Sequence, residues 1–206
     1  MKNKILLILT ILSFTLLGCQ RMLLGVFGVE DNPKAKTKEE ILTYIVRKKL
    51  PENNQFTVNN VGLEFFNDIS ESIPAFYLFD KNGNLLKDSS NNACLENKID
   101  KIEYIIKNQF IKVDTSVTLV KVAKHINKGI NLNKESFTGS LMDNDAQYYV
   151  LMTWAIYVGK FNELHYLKWY TKVKDIEQKY KIKIINVNLD FLKGFNYDNL
   201  DYKPRN

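Results

Sequence analysis

Cysteine and histidine are scarce in this chain: two of each among 206 residues, Cys19 and Cys94, His125 and His165. Cys19 belongs to a processing signal described below, which leaves Cys94 as the single thiol of the folded part. An intramolecular disulfide and a cysteine-based metal site are then both excluded. The histidines fall on different predicted helices without H-x-x-x-H or H-E-x-x-H spacing, which argues against a zinc site. Glu163 and His165, two positions apart, do not share a helix face. Both histidines are expected at the surface. With 4 prolines and 9 glycines the chain is neither collagen-like nor disordered, and it carries no repeat or low-complexity run. No metal or hydrolase constellation points to an enzyme, and no cofactor is expected.

What is present begins at the first residues. Lys2 and Lys4 form a short basic region, Ile5 to Leu17 run apolar except for Thr10, Ser13 and Thr15, and the stretch closes on Leu16-Leu17-Gly18-Cys19. About thirteen such residues are too few for a hydrocarbon core of ~30 Å, so they read as the core of a signal peptide. The ending L-L-G-C resembles the bacterial lipobox, which implies cleavage behind Gly18 and lipidation of the Cys19 sulfur, with acyl chains of the palmitate kind. Residues 1–18 are then a lipoprotein signal peptide, 19–36 a lipid-anchored tether and 37–206 one domain of the bacterial cell envelope. Gln20, where some inner-membrane lipoproteins carry aspartate, points to the outer membrane in a two-membrane cell. The formal charge is +6, or +4 once Lys2 and Lys4 leave with the leader. Such a protein attracts anionic headgroups or anionic cell-wall polymers. An envelope protein is the other partner class, and nucleic acid is not expected.

Hydrophobic residues make up 45% of the chain, enough for a packed core. The apolar patch Met22-Leu23-Leu24-Gly25-Val26-Phe27 has two open destinations, the lipid interface or the surface of the domain. Thr37-Lys38-Glu39-Glu40 forms a capping box ahead of a helix that Pro51 ends. Residues 55–61 read as a strand. Ala75-Phe76-Tyr77-Leu78-Phe79 reads as a buried strand, followed by a turn at Gly83 and a return strand through Leu85 and Leu86. Ile99, Ile102, Ile105 and Ile106 mark a helix face. Asp114, Thr115 and Ser116 are cap candidates for a helix carrying Leu119, Val122, Ala123 and Ile126, with Gly129 at its end. Residues 131–145 read as loop. The apolar run 147–154 suits a central strand, an amphipathic helix over 164–180 follows, and 182–189 reads as another strand. Strand, helix, strand predicts a sheet with parallel strands covered by helices.

Two segments resemble the thioredoxin-like superfamily. In the first, a buried strand leads into Trp154-Ala155-Ile156-Tyr157-Val158-Gly159-Lys160-Phe161, similar to the family's Trp-Ala, two residues, and Cys-Gly-Pro-Cys opening a helix. That helix leads to Val187-Asn188-Leu189-Asp190, which resembles the family's closing Asn-x-Asp. The second segment, Ser72-Ile73-Pro74-Ala75 onward to Asn82-Gly83, resembles the family's cis-proline, apolar strand and hairpin. Here it precedes the Trp-Ala segment, as in a circular permutation. The resemblance implies an α/β fold, a thioredoxin-like three-layer sandwich with a mixed sheet flanked by helices. It also implies that Pro74, Val158 and Phe161 are degenerate active-site positions. Val158 and Phe161 stand where the cysteines would be, and neither attacks a disulfide nor resolves one.

The expected function is a redox-inactive binding or structural module. The enzyme alternative is an envelope thiol oxidoreductase or peroxide reductase using Cys94, placed before the Ile99 helix where a helix N-terminus lowers a thiol's pKa. A third reading uses Trp169, flanked by Lys168 and Lys172, to stack on a sugar. Trp154 is expected in the core. Stable anchoring takes two acyl signals, each buried CH₂ contributing ~0.8 kcal/mol. Cys19→Ser is therefore expected to leave an uncleaved or mislocalised precursor, checked by mass and membrane fractionation; normal processing and retention of that variant would refute the anchor.

Overall fold

The structure, a computed structural model, describes residues 26–30, 33–58, 73–88, 102–108, 111–126 and 141–194. Six strands form one mixed sheet: β1 (Gln55–Thr57), β2 (Ala75–Asp80), β3 (Asn84–Asp88), β4 (Ile111–Thr118), β5 (Tyr148–Trp154) and β6 (Ile182–Asn188). Their spatial order is β1-β6-β5-β2-β3-β4. β1, β6 and β5 run parallel, and β2, β3 and β4 continue the sheet in antiparallel pairs. Among the described residues four α-helices accompany it: α1 (Lys38–Lys48), α2 (Ile102–Asn108), α3 (Leu119–Ile126) and α4 (Lys168–Tyr180). The signal peptide, Cys19, Cys94, Ile99 and Gly129 lie outside the described residues, as do 131–140 of the expected loop. No described helix is long and apolar enough to cross a membrane.

Strand alternation divides the core between the two faces of the sheet. On one face Phe76, Leu78, Val150, Met152, Trp154, Ile182 and Ile184 meet Ile41, Tyr44 and Ile45 of α1, Ile102 of α2, and Trp169 and Val173 of α4. On the other, Phe79, Leu85, Tyr149, Leu151, Ile185 and Val187 meet Leu119, Val122 and Ile126 of α3. β5 and β6 are buried on both sides, so their sequences read as continuous apolar runs instead of alternating ones. α4 joins these two parallel strands.

Local chemistry accounts for the punctuation. At the start of α1, Thr37 Oγ1 accepts from the Glu40 N–H at 3.1 Å and Glu40 Oε2 accepts from the Thr37 N–H at 2.6 Å, closing the capping box. Between β2 and β3, Asp80 Oδ1 accepts from the N–H groups of Asn82 and Asn84, and Gly83 turns the chain at φ +77°.

The expected cap at 114–116 is displaced. Residues 111–118 form the edge strand β4, and Thr118 Oγ1 caps α3 instead, accepting from the Lys121 N–H at 3.3 Å. Alternating β-branched and polar residues suit an edge strand as well as a cap, and pairing with β3 decides between them. β1 is shorter than the strand expected over 55–61, ending at Thr57 with Val58 after it described as non-strand. His125 is buried at the end of α3, contrary to the surface position expected for it.

The segment assigned above to the tether packs on the domain through 26–30 and 33–36. Lys36 pairs in parallel with Leu192, its N–H donating to Phe191 O at 2.6 Å while Lys193 N–H donates to Lys36 O at 2.8 Å. The chain thus enters the fold along the segment that follows β6.

Candidate functional site

The end of the sheet where β5 finishes gathers the residues that the sequence singles out. Ala155 leads into a 3-10 turn (Ile156–Val158), then Gly159 and Lys160, and a π-helical segment (Asn162–Leu167) runs on into α4. Pro74 opens β2 at this same end: Ala75 is in register with Thr153, and its N–H donates to Thr153 Oγ1 at 2.9 Å. The Ile73–Pro74 peptide is cis. Val158 is buried, and Phe161 stacks on Phe27 with ring centroids 4.8 Å apart. Cys94 lies outside the described residues.

Gly159 is the pivot of the turn. Its φ of +57° with ψ −127° is a conformation that residues with a side chain rarely adopt. Space forbids one as well: a Cβ there would lie 2.3 Å from Phe27 O and 2.5 Å from Gly28 O. The 26–30 strap fills the position a side chain would take. It also bonds to the turn, Lys160 N–H donating to Phe27 O and Glu30 N–H to Tyr157 O, both at 2.8 Å. Four N–H groups at this helix start are occupied: Lys160 is bound by the strap, while Asn162, Glu163 and Leu164 donate to Gly159 and Lys160 carbonyls. Beyond Phe161, His165 stacks on that ring and lies tilted against Trp169.

Two buried polar side chains hold the Ala155–Ile156 peptide from either side. Asn162 Nδ2 donates to Ala155 O at 2.7 Å and to the Tyr44 hydroxyl at 3.1 Å. Asp190 Oδ2 accepts from the Ile156 N–H at 2.8 Å and from Asn188 Nδ2 at 2.6 Å. The second oxygen of each, Asn162 Oδ1 and Asp190 Oδ1, is buried without a donor among the described residues. Burial pushes the Asp190 carboxyl up to about 6, against the opposing pull of the Ile156 N–H, Asn188 and Lys36.

Behind the turn a second polar group is saturated. Trp154 Nε1 donates to Gln55 Oε1 at 3.0 Å, Gln55 Nε2 donates to the Tyr166 hydroxyl at 3.3 Å, and that hydroxyl donates to Asn186 Oδ1 at 2.9 Å. Burial raises the Tyr166 hydroxyl far above the ordinary tyrosine range. These bonds tie β1, β5, β6 and the π segment together and fix the direction in which the helix leaves the turn. They supply neither a nucleophile nor an acid in reach of solvent. Among the described residues no group of histidine, cysteine, aspartate and glutamate is placed to hold a metal.

The sequence reading missed Asn162, Gln55 and the strap. Asn162 and Gln55 carry signals that are recognisable afterwards, a polar residue on an otherwise apolar face. Trp169 is corrected: it is 2% exposed and packs edge-on to Phe76, so it offers no ring to a sugar. No family model, curated protein or solved structure matches the chain.

Gly159→Ala is expected to destabilise the fold, the backbone conformation alone costing about 1–3 kcal/mol before the collision with the strap. Denaturant midpoints should fall and limited proteolysis should open within 26–36; an unchanged midpoint and cleavage pattern would contradict the contact. Asp190 sets a pH dependence. Between its unfolded value of 3.8 and its folded value of about 6, the folded state keeps a proton that the unfolded chain releases. Stability therefore falls as pH rises through that window, by about 3 kcal/mol in all, and is fully reduced above it. Asp190→Asn should flatten that slope in denaturant midpoints measured from pH 4 to 6.5, and an unaltered slope would assign it elsewhere.

Proposed function

We propose that this chain is a lipid-anchored protein of the bacterial cell envelope whose domain is a circularly permuted, redox-inactive thioredoxin-like module serving in binding or structure. The observation that carries the reading is the apolar, covered turn at the end of β5. In this reading Val158 and Phe161 stand where the two thiols would be, and the 26–30 strap lies over Gly159 between them. The strand order β6-β5-β2-β3, with β5 and β6 parallel and β2 and β3 antiparallel, supports the permuted arrangement. So does the position of Pro74 beside the end of β5. The reading of residues 1–18 as a leader and of Cys19 as the lipidation site rests on the L-L-G-C ending.

The absence of dithiol chemistry follows from the residues at the turn. A thioredoxin-type cycle needs an attacking thiolate at the helix start and a second thiol that resolves the mixed disulfide. A valine and a phenylalanine do neither, and the N–H groups of Lys160, Asn162, Glu163 and Leu164 at the helix start are already bonded. Purified protein is expected to reduce insulin disulfides no faster than the reductant alone. Turnover above that background, abolished by Cys94→Ser, would overturn this reading in favour of an oxidoreductase working through Cys94.

A further inference from the structure

We propose that the helix face formed by Lys160, Leu164 and Lys168 lies on the anionic surface of the bilayer to which the chain is anchored; this deepens the reading of Cys19 as the lipid anchor and rests on it. The anchor lies only seven positions before Val26, where the described chain begins. At most ~3.6 Å per residue, that span reaches about 25 Å. It emerges beside the turn, because Phe27 O is bonded to the Lys160 N–H and the Phe27 ring is stacked on Phe161. A membrane-held Cys19 therefore draws this corner of the domain, and not the β4 edge, toward the lipid.

The chemistry of the corner suits an anionic bilayer. Lys160, Leu164 and Lys168 recur at every fourth position and are all exposed, Leu164 by 48%, as is Val26 at the start of the strap, by 62%. Neither lysine is ion-paired among the described residues, while Glu163, the acidic residue between them, is bound by Lys48. Two cations flanking an exposed leucine place charge at the headgroups and an apolar side chain at the level of the interface, the lysine stems extending alongside it. The face next to it is unavailable, since Phe161 is stacked between Phe27 and His165, and His165 lies tilted against Trp169.

The test uses the full chain, expressed with its leader, in a Cys94→Ser background. A fluorophore is attached at Leu164→Cys or, as a control on the distant edge strand, at Thr115→Cys. Each protein is reconstituted into vesicles of phosphatidylcholine with or without phosphatidylglycerol, carrying brominated acyl chains as quenchers. Emission from position 164 is expected to be quenched in the anionic vesicles and that from 115 to be unaffected. Lys160→Gln/Lys168→Gln, or removal of phosphatidylglycerol, is expected to lower the quenching while flotation with the vesicles persists, each lysine contributing roughly fivefold near an anionic surface. Flotation with equal, weak quenching at 164 and 115 overturns the orientation but leaves the anchor standing. Failure of the processed chain to float overturns the anchor reading and this one with it.

Discussion

A backbone contact organises the candidate site: the carbonyls of Phe27 and Gly28 stand where any side chain at position 159 would have to go. Only glycine allows that approach, and only a glycine also takes the positive φ at which the chain leaves the 3-10 turn without strain. The rest follows from it. Phe27 reaches the Phe161 ring because its own carbonyl is held by the Lys160 N–H. The start of the helix is thereby covered from outside by apolar stacking and satisfied from within by backbone hydrogen bonds. With the Lys160, Asn162, Glu163 and Leu164 donors engaged, this helix start has less to offer an anion or a thiolate.

The inside of the same turn is set by amide and carboxyl groups. Asn162 and Asp190 grip the Ala155–Ile156 peptide from opposite sides, and each keeps one buried oxygen without a donor among the described residues. Such groups cost free energy where they sit, and the raised pKa of Asp190 expresses that cost. Their geometric effect is to fix where β5 ends and where the helix begins. The Gln55–Trp154–Tyr166–Asn186 chain does the same one turn further on, so the π segment is bonded to α1 and the end of β5 at Asn162 and into the sheet at Tyr166.

Much of this was legible in the order of residues wherever the signal was local. The runs 75–79, 147–154 and 182–189 are apolar because their strands are covered on both faces, and the Thr37 capping box and the Asp80–Gly83 turn need only neighbours in sequence. Trp154 was readable as core for the same reason. Features that depend on distant partners were not legible. β4 is a strand because β3 supplies its hydrogen bonds, and nothing in Asp114-Thr115-Ser116 distinguishes that from a cap. Trp169 sits among lysines in sequence, yet is buried and packs edge-on against Phe76 of the sheet. Of the site, Pro74, Val158, Phe161 and Asp190 stand out in the sequence, whereas the reason for Gly159 lies with Phe27 and Gly28, far away along the chain.

The claim that most of the account rests on is that the strap closes over the Gly159 turn in the native protein. Amide hydrogen exchange of the full chain tests it most directly, since the Lys160 and Glu30 N–H groups are free to exchange only when the strap lifts. The account predicts that both are protected, and that they open together with the amides of Asn162 and Ile156 and not earlier. Exchange of Lys160 and Glu30 at the rate of an unstructured peptide, with the β5 and β6 amides still protected, would show an open turn and contradict it.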